Sequence, residues 1–550
     1  MELHSLATGH EPAPAPAPRT YWVVPGKLLA GAYPGAPTQK EHRARIEALW
    51  NAGVRTFVNL MEENETNNAG KPFTPYQDIV NELARASGED ATCLRYPIRD
   101  LDVPSFALMG TLLAAIDRSL ARGSAVYVHC FGGVGRTGTA VCAWIHQHGL
   151  VNADNVFSVL SELRRADRLA GQRPAPETEK QRTFVKEFTK SVDATATLRS
   201  RILGCLLGGA LGDAFGAPIE FMSLHAIREK YGPEGLLEFT PYAGRLGAIS
   251  DDTQMTLFTV EGIVRANARS ALKGICHPPA VVHHAYLRWA HTQSLPMKAK
   301  ITKDPSWPDG WLVKERALHS RRAPGNTCMS ALTSAVKLGS VAENDSKGCG
   351  TVMRVAPAGL CWSANDLASA FQFGSYVSHL THAHPTGYLA GGYFAGLFAL
   401  LLEGCDLREA IGDAMVPLLQ EPDAQETVAA IEGALRLFDE DAPPTAELVE
   451  SLGEAWIAEE ALSIALYCAL VAKDFEHGVR LAANISGDSD STASMTGQIL
   501  GVIGGKESLP TRWLEQLELR DVIEELGRDF ERARSGRFDS ELEWERYPGW

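Results

Sequence analysis

From Tyr21 onward, short apolar runs alternate with amphipathic stretches. Two apolar runs flank Pro25-Gly26 between Tyr21 and Gly31, which predicts a hairpin. Apolar spacings of three and four predict helices over residues 40–52, 106–120 and 137–148. Residues 54–60, 91–98 and 125–129 are short apolar runs and predict strands. Strand alternating with helix implies an α/β layer with a mainly parallel sheet over residues 19–188. Ahead of it, Glu11 to Pro18 alternates Pro and Ala, so residues 1–18 are expected to form a disordered, polyproline-like tail. Behind it, residues 189–197 are small and polar and are expected to be a linker.

After residue 198 the pattern changes. Ala-, Leu- and Gly-rich helical periodicity recurs over 199–215, 254–270, 279–291, 364–377, 386–403, 424–438, 455–472 and 491–503, with few strand signals. This predicts an all-α domain over 198–550 with functional loops between helices. Its many Gly and Ala residues imply close helix–helix contact. Residues 506–550 are charged with helical periodicity and are expected to pack on the outside. The most apolar stretch, Gly391 to Leu402, is too short to span a bilayer and reads as a buried helix.

Composition narrows the function classes. At 550 residues, two or three domains are expected. A net charge of -15 disfavours tight non-specific nucleic-acid binding, although a local basic pocket is compatible with it. Ten scattered Cys fit a reducing cytoplasm better than a disulfide scaffold. Met1 to Ser5 lacks the basic and apolar regions of a secretory signal. The expectation is a cytoplasmic protein without a membrane partner. Oligomeric state is not readable from the sequence.

The predicted strand 125–129 runs into His129-Cys130-Phe131-Gly132-Gly133-Val134-Gly135-Arg136-Thr137-Gly138. A strand end, a Gly-rich loop (Phe131, Gly132, Gly133, Val134, Gly135) and a helix start aim backbone N–H groups and the positive helix end at one point. Arg136 suits bidentate phosphoryl binding, and a thiol at Cys130 is favoured as the thiolate, a nucleophile toward phosphorus. Thr137 is positioned to hydrogen-bond the departing sulfur. A general acid is also required, and Asp100 and Asp102 in Tyr96-Pro97-Ile98-Arg99-Asp100-Leu101-Asp102 are candidates. The full string resembles the protein tyrosine and dual-specificity phosphatases, over roughly residues 20–190. The resemblance points to Asp100 as the acid. It also matches Pro176-Glu177-Thr178-x-x-Gln181 to a segment whose Gln positions the hydrolytic water. The bland alternative is a degenerate domain that only binds phosphate.

Near the C-terminus, Gly487-Asp488-Ser489-Asp490-Ser491 places two carboxylates among small hydroxyl residues, and Ser250-Asp251-Asp252-Thr253 lies far upstream. Four acids meeting in an apolar core either take up protons or hold a cation, and hard oxygen ligands suit Mg²⁺ or Mn²⁺. Asp251 and Asp252 alone would read as helix N-terminal acids. Together with the segment ending at Glu220, these motifs resemble the ADP-ribosylglycohydrolase family, over roughly residues 198–505. Gly348 to Pro357 and Leu380 to Pro385 add to the match. The resemblance implies an all-α fold and two Mg²⁺ or Mn²⁺ ions on Ser250, Asp251, Asp252, Asp488, Asp490 and Ser491. Ser stands at 250, 489 and 491 where Thr is frequent. Glu220 matches a family acid near the metals, and the sequence leaves open whether it binds metal, holds water or responds to substrate. The loop with Gly350, Met353 and Arg354 is expected to border the ribose and diphosphate, and His382 the nucleotide. Asp213, in a Gly-rich helix, reads as structural. His379, His382 and His384 read as capping or substrate contacts rather than a zinc triplet.

Together these readings predict a bifunctional hydrolase. A metal-dependent domain removes ADP-ribose from a protein, a nucleic-acid end or a small molecule. A metal-free domain hydrolyses a phosphorylated substrate. A sharper version passes one substrate through both sites. The competing reading is a nucleotide- or ADP-ribose-binding protein with one active domain.

Overall fold

The computed structural model describes residues 13–167, 169, 172–296 and 307–548. Two compact units divide between Thr195 and Ala196.

The first unit is built on five strands: β1 (Thr20–Val24), β2 (Leu28–Ala32), β3 (Val54–Asn59), β4 (Thr92–Arg95) and β5 (Ala125–Cys130). Their order is β1-β2-β5-β3-β4; β1 pairs antiparallel with β2 and the other neighbours are parallel. Strand alternation sorts the core onto two faces. Leu29, Val54, Phe57, Ala125 and Tyr127 pack on one side with Ile46 and Leu49 of α1 (Gln39–Asn51) and Val80 of α2 (Gln77–Ser87). Leu28, Val58, Val126, Val128 and Cys130 pack on the other. That side is covered from α3 (Phe106–Ala121), α4 (Gly135–Gln147), α5 (Val156–Leu163) and the start of α6 (Glu179–Gly216).

The sequence reading located the hairpin, three helices and three strands, and missed α2 and α5. The boundary between the units falls within the expected linker 189–197. That linker is helical, within α6, because residues 179–203 hold neither Gly nor Pro and small polar residues disfavour a helix only weakly. One expectation needs correction. Of the expected disordered tail, residues 1–12 lie outside the described residues. Ala17 is buried, and the Thr20 hydroxyl donates to its carbonyl at 2.7 Å, so the end of this segment joins the fold.

The second unit is helical. Its helices are α7 (Leu224–Tyr231), α8 (Asp251–Lys273), α9 (Pro278–Thr292), α10 (Asn326–Ser334), α11 (Ala356–Leu360), α12 (Leu367–His379) and α13 (Pro385–Glu403). Then come α14 (Leu407–Leu418), α15 (Gln425–Asp439), α16 (Ala446–Glu450), α17 (Ala458–Leu470), α18 (Phe475–Ala483), α19 (Ser489–Gly504), α20 (Thr511–Leu514) and α21 (Arg520–Arg534). α6 and α13 are long and apolar enough to cross a membrane by length and composition, but their apolar windows are 94% and 89% buried, as in core helices. Residues 506–548 lay an apolar side on the core: α21 presents Ile523, Leu526 and Phe530 to it, and Trp513, Glu531 and Tyr547 are buried as well.

One packing contact sets up the acidic site. Gly204, Gly208, Gly212 and Gly216 recur every fourth residue of α6 and face α19. A Cβ at Gly212 would stand 2.0 Å from the Ala493 carbonyl oxygen, and one at Gly216 2.3 Å from that of Ser489. Only glycine permits this approach, which brings Asp213 and the segment ending at Glu220 against the start of α19.

Candidate functional sites

Cys130 ends the central strand β5, and residues 131–134 turn directly into α4. Gly133 sits at φ +68°, where a Cβ would lie 2.5 Å from the Gly31 carbonyl carbon; its N–H donates to Cys130 Sγ at 3.3 Å. Arg19 donates to the Gly132 carbonyl at 2.6 Å and anchors the loop from outside. Behind the thiol, His129 bonds the Tyr76 hydroxyl at 2.8 Å, and burial pushes its imidazole down to about 3, so it is neutral.

Arg136 is buried and fully oriented. Its two terminal nitrogens donate to the two oxygens of Glu65 at 2.7 Å each, one also donates to the Ile98 carbonyl at 2.9 Å, and the other pairs with Asp100 at 2.9 Å. Its Nε has no hydrogen-bond partner among the described residues. Asp100 is therefore held beside Arg136 with its side chain largely exposed. Asp102 points elsewhere: Lys180 binds its carboxylate at 2.5 Å and holds its pKa below the ordinary value. A cavity of about 220 Å³ lined by Tyr33, Asn59, Glu65, Phe73 and Arg95 adjoins the loop, with Phe73 against Phe131.

Two side chains are used differently from expectation. The Thr137 hydroxyl donates to the Gly31 carbonyl at 3.3 Å, not to Cys130. The Gln181 amide is buried and engaged: its oxygen accepts from the Glu177 and Thr178 amides at 3.1 Å, and its nitrogen donates to the Asp102 carbonyl at 3.2 Å. It ties the 176–181 turn to the acid loop. Glu65 was missed in the sequence. The only hint was the acidic run Glu62-Glu63-Asn64-Glu65, because its partner lies 71 residues away.

In the second unit, Ser250 caps α8 and Asp488 caps α19. The Ser250 hydroxyl accepts from the Asp252 amide at 3.2 Å, and Asp488 accepts from the Ser491 amide at 3.3 Å. Two helix N-termini thus carry Asp251, Asp252, Asp488 and Asp490, where the helix ends favour negative charge. Asp213 fixes the first of these turns by accepting from the Ser250 and Thr253 amides at 2.9 and 3.1 Å and from the Thr253 hydroxyl. Glu220, Asp488 and Asp490 each offer a carboxylate oxygen within 4.8 Å of the others.

Burial and mutual repulsion drive these acids toward protonation. Glu220 is pushed up to about 9, first by burial and then by Asp488, Asp251 and Asp213. Asp251 is pushed up to about 8, chiefly by burial, and Asp213 to about 6 for the same reason. Asp252 and Asp490 rise well above the carboxylate range, burial first and neighbouring carboxylates next. One oxygen each of Glu220 and Asp252 is buried without a hydrogen-bond partner among the described residues. A divalent cation would satisfy both the charge and the orphaned oxygens.

The loop 348–354 lies against this cluster. The Cys349 thiol, missed in the sequence, donates to Asp488 at 2.7 Å. Ser491 Oγ stands 4.0 Å from Met353 Sδ. Arg354 is buried beneath the loop rather than open to a ligand. It donates to Cys328 Sγ at 3.1 Å, to the Gly350 carbonyl and to the Thr381 hydroxyl, and stacks 4.7 Å over Tyr286. Gly350 has no room for a Cβ, which would meet Cys328 Sγ at 2.9 Å. His382 bonds the Thr381 hydroxyl at 2.9 Å, and burial pushes it down to about 3, so it is neutral.

Comparison with known proteins separates the same two regions. Residues 194–539 match the ADP-ribosylglycohydrolase family. Residues 17–185 match the family described as "Swiss Army Knife protein, DSP-PTPase phosphatase domain". An uncharacterized protein of Archaeoglobus fulgidus is 28% identical over 60% of this chain and 95% of its own length. The ADP-ribosylarginine hydrolase Tri1 of Serratia proteamaculans is 24% identical over 59% of this chain and 76% of its own. A solved structure titled "ADP-ribosylglycohydrolase-related protein complex" aligns with 62% of this chain and 99% of its own, at 23% identity and a TM-score of 0.46.

Proposed function

Since this chain belongs to the ADP-ribosylglycohydrolase family and carries a DSP-type phosphatase domain ahead of that region, we propose that it is a bifunctional hydrolase with two separate chemistries. The acidic centre removes ADP-ribose from a modified acceptor with the help of divalent metal. The Cys130 loop hydrolyses a phosphate monoester without one.

The first half rests on the buried group Glu220, Asp488 and Asp490, joined by Asp251 and Asp252. The donors are carboxylates and hydroxyls, and two carboxylate oxygens lack partners among the described residues, which fits hard divalent cations. Ser250, Asp251, Asp252, Asp488, Asp490 and Ser491 would hold two Mg²⁺ or Mn²⁺ ions. Such ions supply Lewis-acid orientation of a water and of the ribose hydroxyls. Glu220 holds the attacking water through its unpartnered oxygen. The water oxygen bonds to C1″, the bond from C1″ to the acceptor breaks, and the proton that the water loses passes to the departing acceptor atom. Gly350 and Met353 form the wall of the substrate side, and Arg354 holds that wall from beneath. The Serratia relative is named for ADP-ribosylarginine, so arginine-linked ADP-ribose is the first substrate to offer.

The second half rests on Arg136. Its terminal nitrogens are fixed by Glu65, its buried Nε has no partner among the described residues, and its charge interacts with Cys130. Cys130 Sγ attacks phosphorus, the ester P–O bond breaks, and Asp100 protonates the leaving oxygen. Water then cleaves the P–S bond with Asp100 accepting its proton.

Two assays on one preparation test the proposal. Release of ADP-ribose from arginine-, serine- and phosphate-linked substrates is expected with Mg²⁺, and is expected to be lost with EDTA and in Asp490→Ala. Release of phosphate from p-nitrophenyl phosphate is expected to survive EDTA and to vanish in Cys130→Ser. Absence of ADP-ribose release from all three linkages with metal bound would contradict the first half.

A further inference from the structure

The acidic centre contains one side chain that a purely oxygen-ligated site does not need. Cys349 is half-buried, and its Sγ lies 2.7 Å from Asp488 Oδ2, the oxygen that faces away from the Ser491 amide. The loop is held in that position from both sides. The Cys349 amide donates to the Trp456 carbonyl at 3.2 Å, and the Ala458 amide donates to the Lys347 carbonyl at 2.8 Å. At the next residue, Gly350 is pinned against Cys328 and His382. These contacts hold the Cα of Cys349 beside Asp488.

A second observation points to a ligand in the acidic cluster whose Asp488 and Asp252 interact with Cys349. Asp252 is 3% exposed and Glu220 8%, and each has a buried carboxylate oxygen without a hydrogen-bond partner among the described residues. Glu220 and Asp252 share Asp488 as a neighbour, and Asp488 is the carboxylate that Cys349 bonds.

We propose that Cys349 is a sulfur ligand of this metal centre, making it a mixed oxygen–sulfur site that prefers borderline ions such as Mn²⁺, Co²⁺ or Zn²⁺ over Mg²⁺. The inference rests on the acidic cluster being a metal site. Cation binding replaces the shared S–H···O hydrogen bond. The thiol proton passes to solvent, a sulfur lone pair forms the bond to the ion, and no electron is transferred. Thiolate is a softer donor than carboxylate or hydroxyl, so its gain in affinity is smallest for Mg²⁺ and grows along the borderline series. A thiol that merely donated a hydrogen bond to Asp488 would leave the ion preference unaltered.

The test uses the full chain, stripped of metal and titrated with Co²⁺. Wild type is expected to show visible d–d absorption together with a near-ultraviolet thiolate-to-cobalt charge-transfer band. Cys349→Ser and Cys349→Ala should keep the d–d absorption and lose the band, while Cys328→Ser should keep both. In parallel Zn²⁺ and Mg²⁺ isotherms, the preference for Zn²⁺ should fall about 10-fold or more in Cys349→Ser, the scale of losing one contact to the ion. Binding of Co²⁺ without a charge-transfer band in wild type, or with a band that survives both Cys349 variants, overturns the sulfur ligand and leaves the metal site standing. Absence of any Co²⁺, Zn²⁺ or Mg²⁺ binding overturns the sulfur ligand together with the metal site.

Discussion

Arg136 is buried against a carboxylate of its own unit, Glu65, with Asp100 beside it, whereas Glu220, Asp251, Asp252, Asp488 and Asp490 are buried among one another. The first arrangement carries its own counter-charge. The second has helix N-termini and backbone amides but no ion pair to Lys or Arg among the described residues. Charge buried without a counter-charge either binds protons or binds cations. One site is thus complete as a folded chain, and the other is completed from solution.

Removing a carboxylate from the acidic centre should separate the two most strongly. Asp490→Ala is expected to lower ADP-ribose release by at least about 100-fold, the upper scale for disturbing a metal's immediate surroundings, with phosphate release unchanged. Assaying both products from the same protein checks this. A parallel loss of both would mean that the substitution unfolds the chain rather than empties the site.

The self-balanced site should respond to loss of its internal counter-charge instead. Glu65→Ala leaves Arg136 buried with half its partners, and breaking a buried pair costs roughly 3 kcal/mol. A lower denaturation midpoint of the first unit and a phosphatase rate reduced about 10-fold or more are expected, because a displaced guanidinium misplaces the phosphoryl group. Glu65→Gln should recover part of both.

Titration sharpens the contrast. Glu220 and Asp251 hold protons up to about 9 and about 8 in the folded, metal-free state, while in the unfolded chain they lose them at ordinary carboxylate values. Between those limits the folded state binds more protons, so metal-free stability should fall as pH rises from about 5 to about 8. Cations compete with the same protons, so stabilisation by Mn²⁺ should grow over that range. Thermal midpoints in EDTA and in Mn²⁺ across pH report both slopes. A metal-free midpoint that rises across that interval would contradict the assigned burial. Thr137→Val should have the smallest effect. Its hydroxyl donates to Gly31, so the loss is about 1 kcal/mol of stability with little change in phosphatase rate.

Much of this was legible in the chain itself. The strand running into Cys130 and the helix start at Asp251 are local patterns, set by a short apolar run and by acids at a helix N-terminus within a few residues. The residues misjudged or missed depend on distant partners. Glu65 meets Arg136 across 71 positions and Cys349 meets Asp488 across 139, and no local pattern encodes either. Gln181 and Arg354 lie within recognisable motifs, yet their polar atoms are taken up by Asp102, Glu177 and Thr178 in one case and by Cys328, Gly350 and Thr381 in the other. A motif identifies the residue, and packing decides which atoms remain free. Residues 189–197 show the converse: a polar composition suggested a linker, but nothing in it breaks a helix.

The most direct measurement is a metal titration of one EDTA-treated sample in which ADP-ribose release and phosphate release are followed together. The account predicts that ADP-ribose release is absent at the start and returns as Mg²⁺ or Mn²⁺ is added, while phosphate release stays constant throughout. ADP-ribose release that persists without metal, or phosphate release that rises with it, would contradict the division between a site completed from solution and a site complete in itself.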